Sequence, residues 1–422
     1  MANTLSVIDM IAAQAMKVAH EKATFIGTVN RSYDDSFAKS GAKIGSTLRI
    51  REPNQYTRRS GSRVMDVQEQ AETTQTVTLA TQDGVDMRFN SAELALSIDE
   101  LTARYIEPAV SVLVSAIDGD CLETATKGTA KLVGTAGTAI GAVSSGFSDT
   151  SALGLARAKL NQGLAPKDGN RSAQIDSVVM ASLANGIKPL MNPSADVSKA
   201  WREGFIARTA MADFYENDRT WAMVNGDDVA GEIDESANTN FTEGTTTVHI
   251  DGIGTTLYAG MVFTWEGIYD CHPETKEAYP HLKQFVLTAT PTVAGNECDI
   301  TFSPAIYTTG AKKNVCTSTG ADVTWTHTGQ DGKDITFVGS ANASYKQHLM
   351  YHKDAFTFVT ADLPLMDDAH KCTRLTKDGL SLRVWQASDI RNDELLMRID
   401  ILYGFKVLRP DWACRLIGSA NA

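Results

Sequence analysis

Apolar residues recur along this chain with a period that switches several times between helix and strand. Residues 4–22 place Leu5, Ile8, Ala12, Ala15, Met16 and Ala19 on one stripe, the spacing of an amphipathic helix. Such a stripe needs something to bury it, either the chain's own core or a neighbouring molecule. Residues 42–51, AKIGSTLRIR, read as a strand, and so does TVTLAT beyond a polar stretch that holds almost no core residues. Together they form a long two-stranded excursion. The clearest helix opens at SIDELTARYIEPAV, where Ser97 and Glu100 make a capping box. Ile98, Leu101, Tyr105, Val112, Ala116 and Ile117 keep helical spacing through it, and Pro108 inside it predicts a kink.

The run GTAKLVGTAGTAIGAVSSG carries too little side chain for a core and reads as a connector; its glycines match no phosphate-binding pattern. A helix over SALGLARAKLNQG, a strand over DSVVMAS and a short helix over LANGIKPLM give 151–221 an α/β character. The texture then changes. After Arg219 no arginine recurs until Arg374, and between Gly226 and Ser340 sixteen acids stand against five lysines. Six strand-like runs punctuate this segment: TTTVHI, GMVFTWEGI, KQFVLTAT, CDITFS, DVTWTH and DITFV. Their spacing predicts a compact β-barrel or sandwich. Since α/β sequence precedes it and sheet sequence follows, it reads as a domain inserted into a host whose chain ends lie close together.

AFTFVTADLPL, SLRVWQASDI and the closing RIDILYGFKVL return to sheet. In the last, Ile399, Ile401, Tyr403, Phe405 and Val407 alternate at strand period before Pro410 breaks the run. Gly404 in its middle is expected to be a bulge or a close-packing point. The final residues therefore read as core rather than as a frayed tail.

Composition narrows the function. A chain of 422 residues with 43% hydrophobic and 21% charged residues is an ordinary globular protein of two or three domains. Its net charge of −12 opposes broad coating of nucleic acid and suits a partner with a basic patch. Against that background the two-stranded excursion is basic: Arg49, Arg51, Arg58, Arg59 and Arg63 accompany one acid, Glu52. It reads either as a solvated loop tip or as an arm lying across an acidic surface of another subunit. No apolar run approaches the ~20 residues of a membrane span, and the N-terminus lacks signal-peptide features, so a cytoplasmic protein is expected. The six cysteines show no CxxC pair and read as free thiols.

Two constellations could carry chemistry. His348 and His352, at i and i+4, would share a metal on a helix, but their β-branched and aromatic surroundings favour a strand. There the rings would stand ~13 Å apart, too far for one ion, and no third ligand accompanies them. Cys271-His272 is a possible thiolate pair, yet adjacent residues on an extended chain face opposite ways and Pro273 marks a loop. No catalytic residue is identified.

Six co-linear segments nevertheless resemble the major capsid (coat) proteins of tailed bacteriophages, in the branch typified by the phage P-twenty-two coat. They are SIDELTARYIEPAV, ARAKLNQGLAPKDGNRS, REGFIARTAMADFYEND, GMVFTWEGIYDCHPETKEAYPHLKQFVLTAT, HKDAFTFVTADLPL and YGFKVLRPDWACRL. The resemblance implies an α+β, HK97-like fold carrying an inserted all-β, six-stranded barrel-like domain. It implies an N-terminal arm over 1–40, an E-loop hairpin with peripheral-domain strands over 41–96, and a spine helix with connector over 97–149, beginning at Ser97 and Glu100. The axial domain would open over 150–225, the insertion would cover 226–345, and return strands would cover 346–422. Leu5, Ile8 and Met16 of the arm and the five excursion arginines are then the candidates for contacts between subunits. The implied function is self-assembly through pentamers and hexamers into an icosahedral head that encloses double-stranded DNA without reading its sequence. Implied partners are a scaffolding protein, a portal protein and a decoration protein. Assembly would take place in the bacterial cytoplasm, with neither cofactor nor membrane. Two rival readings stand beside it: an encapsulin-like nanocompartment shell of the same fold, and a metal-dependent enzyme built on His348 and His352.

Overall fold

The computed structural model describes residues 7–32, 47–58, 61, 65, 67, 73–90, 105–138, 140, 151–187, 212–234, 241–366, 371–389, 391–392 and 394–420. The chain divides into two compact units, one from 1–51, 74–122 and 356–408, the other from 52–73, 123–355 and 409–422.

In the first unit, helix α1 (Val7–Lys22) buries Ile11, Ala12, Ala15, Met16 and Ala19. That is the expected stripe, and the chain's own sheet covers it, so Met16 is a core residue at 1% exposure. Leu5 lies outside the described residues, and so does the side chain of Ile8. Strands β1 (Thr47–Arg51) and β2 (Thr74–Thr78) pair antiparallel as the excursion predicts. Beyond them comes β3 (Thr81–Asn90), whose polar run TQDGVDMRFN gives little strand signal. Helix α2 is regular over Glu107–Lys127, which places Pro108 in its first turn, where a missing N–H gives up no intrahelical bond. A π-type turn at Tyr105 and Ile106 precedes it, an irregularity of the kind a proline imposes. Ser97 and Glu100 lie outside the described residues. Buried Asp118 of α2 accepts hydrogen bonds from the backbone N–H groups of Phe25 and Ile26, each at 2.9 Å, and so anchors the segment that follows α1.

The second unit departs from expectation in two places. The connector holds a short strand, β4 (Leu132–Val133), whose residues are buried despite the small side chains around them. Helix α3 (Ser151–Gln162) matches the expected span. The strand, however, is β5 (Arg171–Ile175), and DSVVMAS instead starts α4 (Ser177–Ile187). The reason is local. The Asp176 carbonyl accepts the first helical bond from Met180 N–H at 2.9 Å, and Asp218 receives the otherwise orphaned Ser177 N–H at 3.2 Å. β6 (Asp213–Glu216) pairs parallel with β5, and β7 (Ala222–Val224) leads out of this host region.

The inserted segment is a closed barrel. β8 (Ala230–Ile233), β9 (Thr245–Asp251), β10 (Val262–Cys271), β11 (Ala278–Leu287), β12 (Cys298–Ile306) and β14 (Asp334–Phe337) form a ring. Its order is β8-β9-β12-β11-β10-β14 and back to β8, with β13 (Val315–Cys316) added on β10. Closure removes the exposed strand edges that invite mispairing. Trp265, Phe263, Phe285 and Phe302 fill its interior. Five of the six expected strands are present. DVTWTH is not one of them: Val323 and Trp325 pack on the core from a loop, and the sixth strand is the short, acidic AGEI of β8.

The host sheet then resumes with β15 (Ser344–His352), which takes β5 on one side and β7 at its start. The chain crosses to the first unit for β16 (Phe356–Ala361), β17 (Lys371–Lys377), β18 (Leu380–Asp389) and β19 (Glu394–Val407). β19 is the backbone of that sheet, pairing with β3, β16 and β18, and α1 packs over β17 and β18. Last comes β20 (Ala413–Ala420), antiparallel to β15 and parallel to β4, with residues 413–418 buried. Residues 413–418 are core, as the pattern of the closing segment predicts.

Candidate functional site

The surfaces of interest begin with the basic hairpin. Strand alternation in β1 turns Leu48 and Ile50 towards Val77 and Leu79, so Arg49 and Arg51 share the opposite, exposed face. Arg58 is exposed further along, while Arg59 and Arg63 lie outside the described residues. Tyr56, Met65 and Val67 are 54%, 83% and 77% exposed. The excursion thus carries exposed apolar side chains as well as arginines.

A second surface lies inside the second unit, where the barrel sits on its host. Ala130, Leu132, Met223, Val262, Val286, Tyr345 and Ile417 make a common apolar patch from both. At its edge the Gln284 side chain accepts from Leu132 N–H and donates to Leu132 O, each at 2.9 Å, in place of a strand neighbour. Arg415 is fully buried and donates to the carbonyls of Gly260 at 2.7 Å and Lys127 at 3.1 Å. Burial pulls its pKa down to about 9. Gly260, at φ +95°, brings its backbone so close to Trp221 that a Cβ would stand 2.6 Å from the indole.

Beneath this seat runs a network of charges. Lys283 donates to Asp270 at 2.7 Å with both side chains 9% exposed, and His281 approaches the same carboxylate at 3.5 Å. Nearby, Lys131 pairs with Asp411 at 3.3 Å and donates to its carbonyl at 2.9 Å. Burial alone would raise the Asp270 pKa, but Lys283, His281 and Lys131 together hold it well below the usual carboxylate range. Burial likewise opposes the charge on Lys283, and Asp270 and Asp411 outweigh it, raising its pKa. None of this was read from the sequence. The available signal was a lysine within the strand run HLKQFVL, one position ahead of Gln284 and the apolar Phe285, Val286 and Leu287.

The two histidines of the metal hypothesis do lie on one strand, β15, and both are buried. Each is used structurally. His348 Nδ1 accepts from Asp176 N–H at 3.3 Å, and His352 Nε2 meets Asp168 at 3.0 Å while its Nδ1 accepts from Asp354 N–H at 3.2 Å. Burial pushes His348 down to about 4, which keeps it neutral. His272 caps a turn, its Nδ1 accepting from Glu274 and Thr275 N–H at 3.1 Å each, and burial raises the neighbouring Cys271 thiol. A raised thiol pKa lowers the thiolate fraction that a nucleophile needs.

The barrel is joined to its host sheet by buried apolar and charged contacts, and β1 carries Arg49 and Arg51 on an exposed face. Residues 72–418 match the family model described as P22 coat protein – gene protein 5, and the chain belongs to that family: it is a phage major capsid protein. No curated protein matches the chain. Among solved structures it is similar to one described as Mycobacterium phage Che8, at 12% identity and TM-score 0.45, covering 93% of this chain and 90% of that one. It is also similar to the capsid of cyanophage P-SCSP1u, at 12% identity and TM-score 0.44, covering 90% and 85%. A third likeness is to the mature capsid of bacteriophage PhiM1, at 11% identity and TM-score 0.40, covering 89% and 82%. No helix among the described residues is long and apolar enough to cross a membrane.

Proposed function

We propose that this coat protein assembles through pentamers and hexamers into an icosahedral head around double-stranded DNA, with the HK97-like layout set out above. In that layout the first unit supplies the peripheral domain and the E-loop base, and the second supplies the axial domain and the insertion. The observation that carries the reading is the family match over residues 72–418. Arg49, Arg51, Arg58, Arg59 and Arg63 would reach acidic positions on an adjacent subunit. Exposed pairs of this kind contribute only ~0–1 kcal/mol each, so subunits can leave and rejoin while the shell grows. Of the arm candidates, Leu5 and Ile8 are the ones to test between subunits, since Met16 has its packing partners within the chain. The acidic chain would take a scaffolding protein through that partner's basic residues and would repel packaged DNA rather than grip it. Portal and decoration proteins complete the expected partners. The role is structural rather than enzymatic, and the place is the virion after assembly in the host cytoplasm. Negative-stain microscopy of the expressed protein, with and without a scaffolding partner, tests the reading. Closed shells, sheets or tubes support it, and monomers that persist at high concentration under every condition refute it.

A further inference from the structure

On the outer wall of the barrel, three neighbouring strands bring ligand-bearing side chains into one row. In the β9–β12 pairing His249 stands directly opposite Asp299, and in the β8–β9 pairing Ile233 stands opposite Ile250. Asp234 therefore follows next to His249 and donates its N–H to the His249 carbonyl at 3.4 Å. Val248 and Ile250, on either side of His249, point into the barrel core, so strand alternation turns His249 outward. Its ring is nevertheless only 13% exposed, because carboxylates crowd it.

The two ring nitrogens have different surroundings. Nδ1 meets Asp299 Oδ1 at 2.8 Å. Nε2 is buried without a hydrogen-bond partner and faces Glu297 Oε2 at 3.6 Å. One ligand atom each from Asp234, His249 and Glu297 lies within 4.8 Å of the others. Among the described residues no lysine or arginine forms an ion pair with Glu297 or Asp299; the imidazole of His249 is the ionisable group beside both.

An imidazole with two carboxylates is a donor set that a divalent cation can use. A carboxylate on one ring nitrogen fixes the tautomer and aims the lone pair of the other at an ion. Ligands about 2.1 Å from a tetrahedral ion stand about 3.4 Å apart, close to the present separation of His249 Nε2 and Glu297. Glu297 is exposed and free to swing, so closing the remaining distance needs no change in the barrel wall. Imidazole with carboxylates suits zinc, whereas calcium and magnesium prefer oxygen ligands alone. We propose that Asp234, His249 and Glu297 hold a zinc-class divalent cation, with Asp299 positioning His249 and water taking the fourth place. The ion would fasten β8, β9 and β12 together, a property separate from shell assembly.

The test uses the full-length subunit, dialysed with zinc and then against metal-free buffer, with zinc per chain measured by mass spectrometry. Wild type should retain one zinc per chain and unfold at a higher temperature with zinc than without. His249→Ala should lose both effects, Glu297→Gln should bind at least tenfold more weakly, and Asp299→Asn should bind about 10–100-fold more weakly. The proposal fails if wild type retains no zinc, or if His249→Ala retains as much as wild type, which would place the ion on other residues. Should His249→Ala not fold, Glu297→Gln decides alone, since its exposed side chain leaves the barrel core intact, and unchanged affinity there overturns the site.

Discussion

Lys283 of β11 places its ammonium 2.7 Å from the Asp270 carboxylate of β10, and the two close off from water together. Asp270 loses its closest cation without Lys283 and keeps only the weaker support of His281 and Lys131. Lys283→Met should therefore destabilise the subunit by up to about 3–5 kcal/mol. Adding Asp270→Leu should recover much of that loss. A urea-unfolding cycle of the four proteins measures the coupling, and additive single effects would sink the argument.

The pH dependence should show the buried histidine of β15. His348 titrates near 4 when folded and near 6.5 when unfolded. Below 6.5 the unfolded chain takes a proton that the folded chain refuses. Stability is thus complete above pH 6.5 and falls as pH drops towards 4, by about 3 kcal/mol in all. Unfolding free energy followed from pH 7 to 4.5 should slope more steeply for wild type than for His348→Gln. Equal slopes would assign the acid sensitivity to other groups.

Gly404 is a point of close approach. A Cβ there would overlap the Thr78 carbonyl oxygen and stand 3.3 Å from Leu79 Cα. Backbone cannot yield as a side-chain tip can, so Gly404→Ala should cost about 1–3 kcal/mol and Gly404→Val more. Removing residues 403–422 takes away the last five residues of β19 and all of β20, and should abolish soluble folded subunit. A truncated chain that is soluble and cooperative in thermal melts would contradict the placement of these strands in the core.

Charge reversal on the hairpin should separate folding from assembly. Arg49 and Arg58 are exposed, so Arg49→Glu with Arg58→Glu should change subunit stability by no more than about 0.5 kcal/mol. Shell yield, read by sedimentation, should fall sharply, and wild-type yield should weaken with added salt. Normal shells from the doubly reversed protein would release these arginines from the proposed contact.

What the sequence reveals here depends on how far apart in the chain the deciding groups lie. The α1 stripe, the barrel strands and the alternation of β19 are local and period-bound, and they are legible. DSVVMAS has the β-branched valines of a strand, and its helix start is completed only by Asp218, 41 residues on from Ser177. β8 went unseen because four residues, AGEI, carry too little pattern; its strand state comes from β9 and β14 on either side. The charged seat and the Asp234–His249–Glu297 row depend on register between strands, which no window along the chain contains.

The neck of the insertion has a consequence for the order of folding. Asn225 N–H bonds Ala343 O at 2.9 Å and Asn342 N–H bonds Gly226 O at 2.7 Å, so entry and exit are clasped together. β7 must find β15 across a gap that runs from Val224 to Ser344. Once the barrel has closed, that search shrinks to a few residues, sparing about 3 kcal/mol of loop-closure entropy. A nascent chain would thus complete its insertion first and be handed the two host strands already side by side. Barrel closure would then come before the joining of β7 to β15, and damage to the barrel core should lower the yield of folded subunit before it alters a finished shell.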